Sequence, residues 1–193
     1  KYNVSDTDDD SKKILLSLKE QIKPFILRRK KSDVLNSLPD KIENNLYVEL
    51  PEKQKLLYAK EVKETKQKIE ELVGSEGFMK SKMEILSLLT RLREICIDPN
   101  VIYENYNDNG IKMDTLLDVV KENILNNHKM LIFSSFKRVL DNVEDMLKKN
   151  NIDSYMIDGS VKRMKRLSMV EDFNKDKTPC FLITLKAGGT GLN

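Results

Sequence analysis

Tryptophan is absent from this 193-residue chain, histidine occurs once and cysteine twice. Cys96 and Cys180 lie far apart with no Cys-x-x-Cys, which argues against a disulfide framework or a thiolate zinc site and fits a cytoplasmic setting. Both sit in apolar surroundings and read as core residues. No apolar run approaches the roughly 20 residues of a membrane-spanning helix, and no signal-peptide pattern is present. The single histidine, His128, falls in a polar "NNHK" stretch and reads as a surface residue near a helix end, not as a base or ligand. The sequence also lacks GxxxxGK[ST], an Asp-Glu pair closing an apolar strand, and a hydrolytic triad. Charge of one sign is nearly lacking too. The net charge is only +3, so an anionic partner must be argued from local clustering.

What is present is 39% hydrophobic and 34% charged residues, the balance of a modest core under a heavily charged surface. Residues 1–13 are polar and acidic and read as a linker or frayed end. Ile14–Ile22 has helical spacing, and Pro24 opens a second predicted helix, "PFILRRKKSDVLNSL". Ile42, Asn44, Leu46, Val48 and Leu50 alternate as in a strand. Pro51 suits a helix start, and the Lys/Glu-rich stretch after it predicts a helix to about Val73, broken by "GSEG". A further helix is predicted over Lys82–Ile97, ending before Pro99. "YENYNDNG", residues 103–110, is the clearest linker, so the expected division is a mainly helical region with a short strand over 14–110 and a second unit over 111–193.

Beyond that linker the rhythm changes. "MDTLLDVVKENIL" reads as helix, "KMLIFSS" as strand, "RVLDNVEDMLKKN" as helix, "SYMI" as strand, "RMKRLSMVEDFN" as helix and "PCFLIT" as strand. Strand–helix–strand alternation predicts an α/β fold with a parallel sheet, whose ligands gather beyond the carboxyl ends of the strands.

Three strand ends therefore carry the chemistry. After "LIFS", Ser135 and Lys137 stand where a helix N-terminus attracts anions; a serine cap is the plainer alternative. In "IDGSVKRMKR", Gly159 permits a tight turn or close backbone approach, and Ser160 could cap the next helix. Lys162, Arg163, Lys165 and Arg166 crowd that helix start, an unfavourable place for cations unless an anion binds; a solvated basic face is the alternative. In "TLKAGGTGLN", glycines after the third strand could form an anion-binding nest or a two-residue hairpin turn; the parallel pattern favours the nest.

These segments, in this order, resemble the second RecA-like lobe of Swi/Snf-type ATPases, the DNA-translocase branch of the superfamily 2 helicases. "LIFSSF" is similar to the family's motif IV, "DGSVKRMKRLSMVEDFN" to the segment after it, and "ITLKAGGTGLN" to motif V. Upstream, "IKPFILRRKKSDVLNSLPDKIE" resembles the basic segment between the lobes, and "LREICIDPNVI" resembles "LRxICxxP", with Ile97 and Asp98 where Asn-His is usual. Ser135 replaces a common Gln and Val161 a common Thr. The resemblance covers residues 14–193.

It implies a P-loop-NTPase-type, RecA-like sheet preceded by a helical extension, within an ATP-driven motor on double-stranded DNA. It further implies that ATP, Mg2+ and the catalytic residues belong with a first lobe, and that motif VI lies beyond Asn193. This chain alone would then bind no cofactor and turn over no ATP. Carried over residue by residue, Ser135, Lys137, Gly159, Ser160, Thr184 and Lys186 become candidate phosphate contacts, with Lys162, Arg163 and Arg166 beside them; Arg166 could instead pin its helix to its neighbours. Gly188, Gly189, Gly191 and Asn193 would face the ATP cleft, and Arg28 and Arg29 would brace one lobe against the other. Partners would be duplex DNA, the first lobe and RNA polymerase or another protein–DNA complex, with no membrane; the location would be cytoplasmic, at the nucleoid if the source is bacterial. A strand-separating helicase and a non-catalytic scaffold are the competing readings.

Overall fold

A computed structural model describes residues 9–26, 41–106 and 108–188. The chain divides into two compact units, Lys1–Asn45 and Leu46–Asn193. In the first, α1 spans Asp9–Ile22, so the helix reaches back into residues read above as a frayed end. Periodicity located only its apolar face. Pro24 lies in a single 3-10 turn, Lys23–Phe25, closed by extended Ile26, and the rest of the predicted second helix, with Arg28 and Arg29, lies outside the described residues.

The predicted strand over residues 42–50 does not form. These residues are irregular, and Ile42 is 83% exposed. Alternation alone cannot make a strand; the backbone N–H and C=O groups need a neighbouring edge, and these residues pair with none of the described strands.

In the second unit, α2 (Glu52–Glu76) and α3 (Phe78–Ile97) form a helical hairpin joined by Gly77 alone. The predicted break at "GSEG" falls on its last residue: Gly74 stays helical, and Gly77, at φ +79°, makes the turn that a side chain would strain. Antiparallel packing is fixed by Arg91, whose Nε donates to buried Glu61 at 3.0 Å, and by Ser81, whose hydroxyl donates to the Leu72 carbonyl at 3.1 Å.

Gln54 solves a specific problem at the end of α3. The Ile95 carbonyl would take its helical hydrogen bond from residue 99, but that residue is Pro99, which has no N–H. The fully buried Gln54 side chain supplies the missing donor, Nε2 to Ile95 O at 3.1 Å, and its Oε1 accepts from Ile111 N at 3.5 Å. Gln54→Ala is expected to destabilise the protein by about 1–3 kcal/mol, the cost of orphaning a buried carbonyl. A urea melt checks this, and an unchanged midpoint would refute it.

Residues 103–106 and 108–110 are irregular, and Tyr106 is pinned. Lys53 Nζ donates to the Tyr106 carbonyl at 2.9 Å and lies 4.5 Å from the centre of its ring. Beyond them run α4 (Ile111–Leu125), β1 (Met130–Ser134), α5 (Lys137–Lys149), β2 (Ser154–Ile157), α6 (Arg163–Lys175), β3 (Cys180–Thr184) and the single turn α7 (Leu185–Gly188).

The sheet is parallel in the order β1-β3-β2, with Met130 opposite Cys180 and Ser154 opposite Cys180 on the other side. All five residues of β3 are buried, as expected for a central parallel strand. Cys180 and Leu182 point to one face and pack with Val139, Leu140, Val143 and Leu147 of α5 and with Met113 and Val120 of α4. Phe181 and Ile183 point to the other face and pack with Phe173 of α6, Ile157 and Ala187. The two crossover helices thus cover opposite faces, which is what same-handed crossovers require when the strand order reverses direction. Burial pushes the Cys180 thiol up to about 11, so it is an inert core group.

Candidate nucleic-acid interface

The register puts Ser134, Ile157 and Thr184 at one edge of the sheet. The loops carrying Ser135, Gly159 and Gly188 therefore leave from a common rim. The loop after β1 departs to one face and the loop after β2 to the other. The exit of β3 lies between them, the arrangement that opens a ligand crevice in parallel sheets.

Neither long helix at this rim has the serine cap considered above. Ser134 Oγ accepts from Phe136 N at 3.1 Å, and Phe136, the N-cap residue of α5, makes no side-chain cap bond. Ser160 turns back: its N–H and hydroxyl both donate to Asp158 Oδ1, at 2.8 and 2.5 Å, leaving Lys162 as the N-cap of α6 with no side-chain bond. Asp158 lies in the matched motif but outside the candidate contacts named above. The signal was available, since Asp followed by Gly-Ser is a turn pattern in which the carboxylate takes the amide two residues on.

Asp158 is buried, and the hydrogen bonds from Ser160, helped by the Lys137 ammonium, hold its carboxyl below the usual carboxylate range against the opposing effect of burial. Lys137 is at the rim as expected, but its ammonium is already engaged: Asp141 Oδ1 and Oδ2 lie at 2.7 and 2.9 Å and Asp158 Oδ2 at 3.6 Å. The bond to Asp141 is the largest cause raising its pKa.

Lys162, Arg163 and Lys165 are exposed at the start of α6, which has no acidic residue in its first turn, and no described carboxylate pairs with them. Arg166 differs. It is half-buried and spends its guanidinium on three backbone carbonyls, of Val161, Asp158 and Ala187. Gly159 is exposed, its φ is ordinary, and an added Cβ would meet nothing within 4 Å. No contact within the chain therefore demands glycine there. Thr184 is buried, Lys186 and Ser135 are exposed.

The tail "LKAG" opens as the helical turn α7, and Gly188 packs tightly: an added Cβ would stand 2.9 Å from Ile183 Cγ2 and 3.1 Å from Phe133 Cε1. Gly189, Gly191 and Asn193 lie outside the described residues. Among the described residues there is no group of three or more His, Cys, Asp or Glu that could hold a metal ion.

Away from the rim, Asp98 is a second buried hub. Its Oδ1 accepts from Asn100 N and Nδ2 at 3.0 and 3.1 Å, and its Oδ2 accepts from Asn142 Nδ2 of α5 at 2.6 Å.

Comparison with known proteins gives a consistent picture. Residues 2–101 match the SNF2-related domain and residues 111–193 the helicase conserved C-terminal domain. A Mycoplasma pneumoniae protein described as an uncharacterized ATP-dependent helicase is 36% identical over 177 residues, covering 91% of this chain and 17% of its own length. The ISWI chromatin-remodeling complex ATPase ISW1 of Saccharomyces cerevisiae is 33% identical over 205 residues, covering all of this chain and 18% of its own length. The chain thus spans less than a fifth of these curated relatives. Among solved structures, the Sulfolobus solfataricus SWI2/SNF2 ATPase core in complex with dsDNA superposes with a TM-score of 0.65 at 27% identity, covering 92% of this chain and 38% of that one.

Proposed function

The chain belongs to the Swi/Snf-type, SNF2-related ATPase family, and from that premise we propose that it forms part of an ATP-driven motor moving along double-stranded DNA. In this reading the carboxyl rim of the sheet grips the phosphate backbone, while Gly188, Gly189, Gly191 and Asn193 face the ATP cleft completed by a first lobe. Arg28 and Arg29 brace the lobes. RNA polymerase or another protein–DNA complex is the proposed target, and a cytoplasmic location goes with it.

One observation carries the reading. Lys162, Arg163 and Lys165 stand at the positive end of α6 without a described carboxylate partner. Cations there oppose the helix dipole, and a bound phosphate would turn that repulsion into attraction. Beside them Gly159 leaves open space into which a phosphate can approach the backbone. Ser135 and Lys186 complete the contact set, and Ser160 contributes less because its N–H and hydroxyl are both given to Asp158. Thr184 and Lys137 contribute less, the first being buried and the second neutralised by Asp141 and Asp158. That the Sulfolobus relative was solved with dsDNA supports a duplex as the partner.

The family's ATP dependence supplies the energy source. The chemistry of hydrolysis would come from the first lobe, so the isolated 193-residue chain is proposed to be inactive.

The test uses full-length protein and labelled duplexes of unrelated sequence. Lys162→Ala, Lys165→Ala and Lys186→Ala should each weaken every duplex alike and flatten the plot of log affinity against log salt by about one. Unchanged slopes, or losses that depend on sequence, would count against phosphate gripping. Duplex DNA that fails to stimulate ATP turnover would favour a scaffold, and strand displacement would favour an unwinding helicase.

A further inference from the structure

Arg166 is better placed to connect loops than to touch DNA. Its Nε donates to the Val161 carbonyl at 2.7 Å and its Nη2 to the Asp158 carbonyl at 3.2 Å, both in the loop after β2. Its Nη1 reaches the Ala187 carbonyl at 3.5 Å, in the turn after β3. A guanidinium is a rigid plane, so carbonyls bound at three of its nitrogens are held at fixed separations. A lysine ammonium, a point charge on a flexible stem, could not hold two loops in one geometry.

The connection continues on the far side. Asp158 gives its carbonyl to Arg166 and its carboxylate to Ser160 and Lys137. Gly159 and Ser160 are therefore held between two fixed points. On the near side the turn lies close over Ile183 and Phe133, where an added Cβ at Gly188 would stand 2.9 and 3.1 Å away. A shift of the α7 turn must carry the guanidinium with it or break the contact, and a carried guanidinium moves the Asp158–Val161 loop.

We infer that Arg166 is a positioning residue that couples the Leu185–Gly188 turn after β3 to the phosphate-gripping loop after β2, so that nucleotide at the first alters DNA affinity at the second. This rests on the motor reading above, and it removes Arg166 from the candidate phosphate contacts.

The experiment measures duplex affinity of the full-length protein with and without a non-hydrolysable ATP analogue, for wild type, Arg166→Lys and Arg166→Gln. Energetic coupling between sites is commonly about 5- to 150-fold in affinity. The wild-type ratio is expected in that range. In both variants it should fall toward one, whatever the absolute affinities, and with an unchanged salt slope. A purely structural arginine would lower the melting temperature while leaving the ratio intact, which would overturn the inference. A salt slope flattened by about one, with the ratio kept, would make Arg166 a direct phosphate contact and also overturn it. If wild type itself shows no nucleotide effect, the motor reading fails and the coupling role with it.

Should the variants not fold, hydrogen exchange in the wild type decides. The analogue should alter exchange of the Gly159–Lys162 amides, and unaltered exchange there overturns the inference.

Discussion

Gly188→Ala is expected to leave the protein folded while lowering the DNA-stimulated ATP turnover of the full-length protein by about tenfold or more. The argument is steric. The added methyl would sit 2.9 Å from Ile183 Cγ2 and 3.1 Å from Phe133 Cε1. Ile183 is buried in the central strand, with a branched side chain that has little rotamer freedom, and it cannot retreat. Phe133 is 49% exposed and can swing aside. The turn must therefore lift away from the sheet by a few tenths of an ångström.

Overpacking of this kind costs about 1–3 kcal/mol, which most domains survive. Catalytic geometry is less tolerant, since a displacement of about 1 Å can cost about a hundredfold in rate. Gly159→Ala serves as the stability control, because a methyl there meets nothing within 4 Å. It should leave the urea midpoint unchanged, as ordinary surface substitutions do. Wild-type turnover in the Gly188 variant would show that the turn does not face the nucleotide.

Asp98→Ala should produce the largest stability loss among the polar substitutions. The carboxylate is 2% exposed and satisfies three donors: Asn100 N, Asn100 Nδ2 and Asn142 Nδ2. Hydrogen bonds to a charged group contribute about 1.5–3 kcal/mol each. Partial re-solvation of the half-buried neighbours Asn100 and Asn142 makes a total of about 3 kcal/mol the reasonable expectation.

The Asn142 bond is the informative one, because it ties the turn after α3 to α5. Asn142→Ala leaves a buried carboxylate oxygen without its donor. A double-mutant cycle should return a coupling energy of about 1–3 kcal/mol, whereas simple additivity would show that the two residues do not cooperate. The bond anchors Asp98 to a residue 44 positions away in sequence.

Much of the α/β half is readable from local pattern. "SYMI" is a strand over the residues predicted, and the apolar spacing of Val139, Leu140, Val143 and Leu147 marks the buried face of α5. The unpaired cations at the start of α6 were legible too, because their anomaly is local: cations beside a helix N-terminus. The helical half was less legible. The alternation at 42–50 lacked a partner edge, and Gly74 was absorbed into α2 because the chain reverses three residues later, where φ is positive.

The sequence by itself determined that three strands would point the same way, that their carboxyl ends would carry small and basic residues, and that a glycine-rich segment would follow the last. Helical and strand periodicities are properties of neighbouring residues, so they can be read without a fold. Only the tertiary structure decided that β3 lies between β1 and β2 and that Arg166 holds carbonyls from two loops. It also decided that Lys137 is shared by Asp141 and Asp158, and that Gln54 replaces the donor Pro99 lacks. Strand order and most of these pairings join residues tens of positions apart, and even the short-range contacts of Lys137 and Arg166 depend on where the strand-end loops meet. Which donor meets which acceptor is set by how the faces pack.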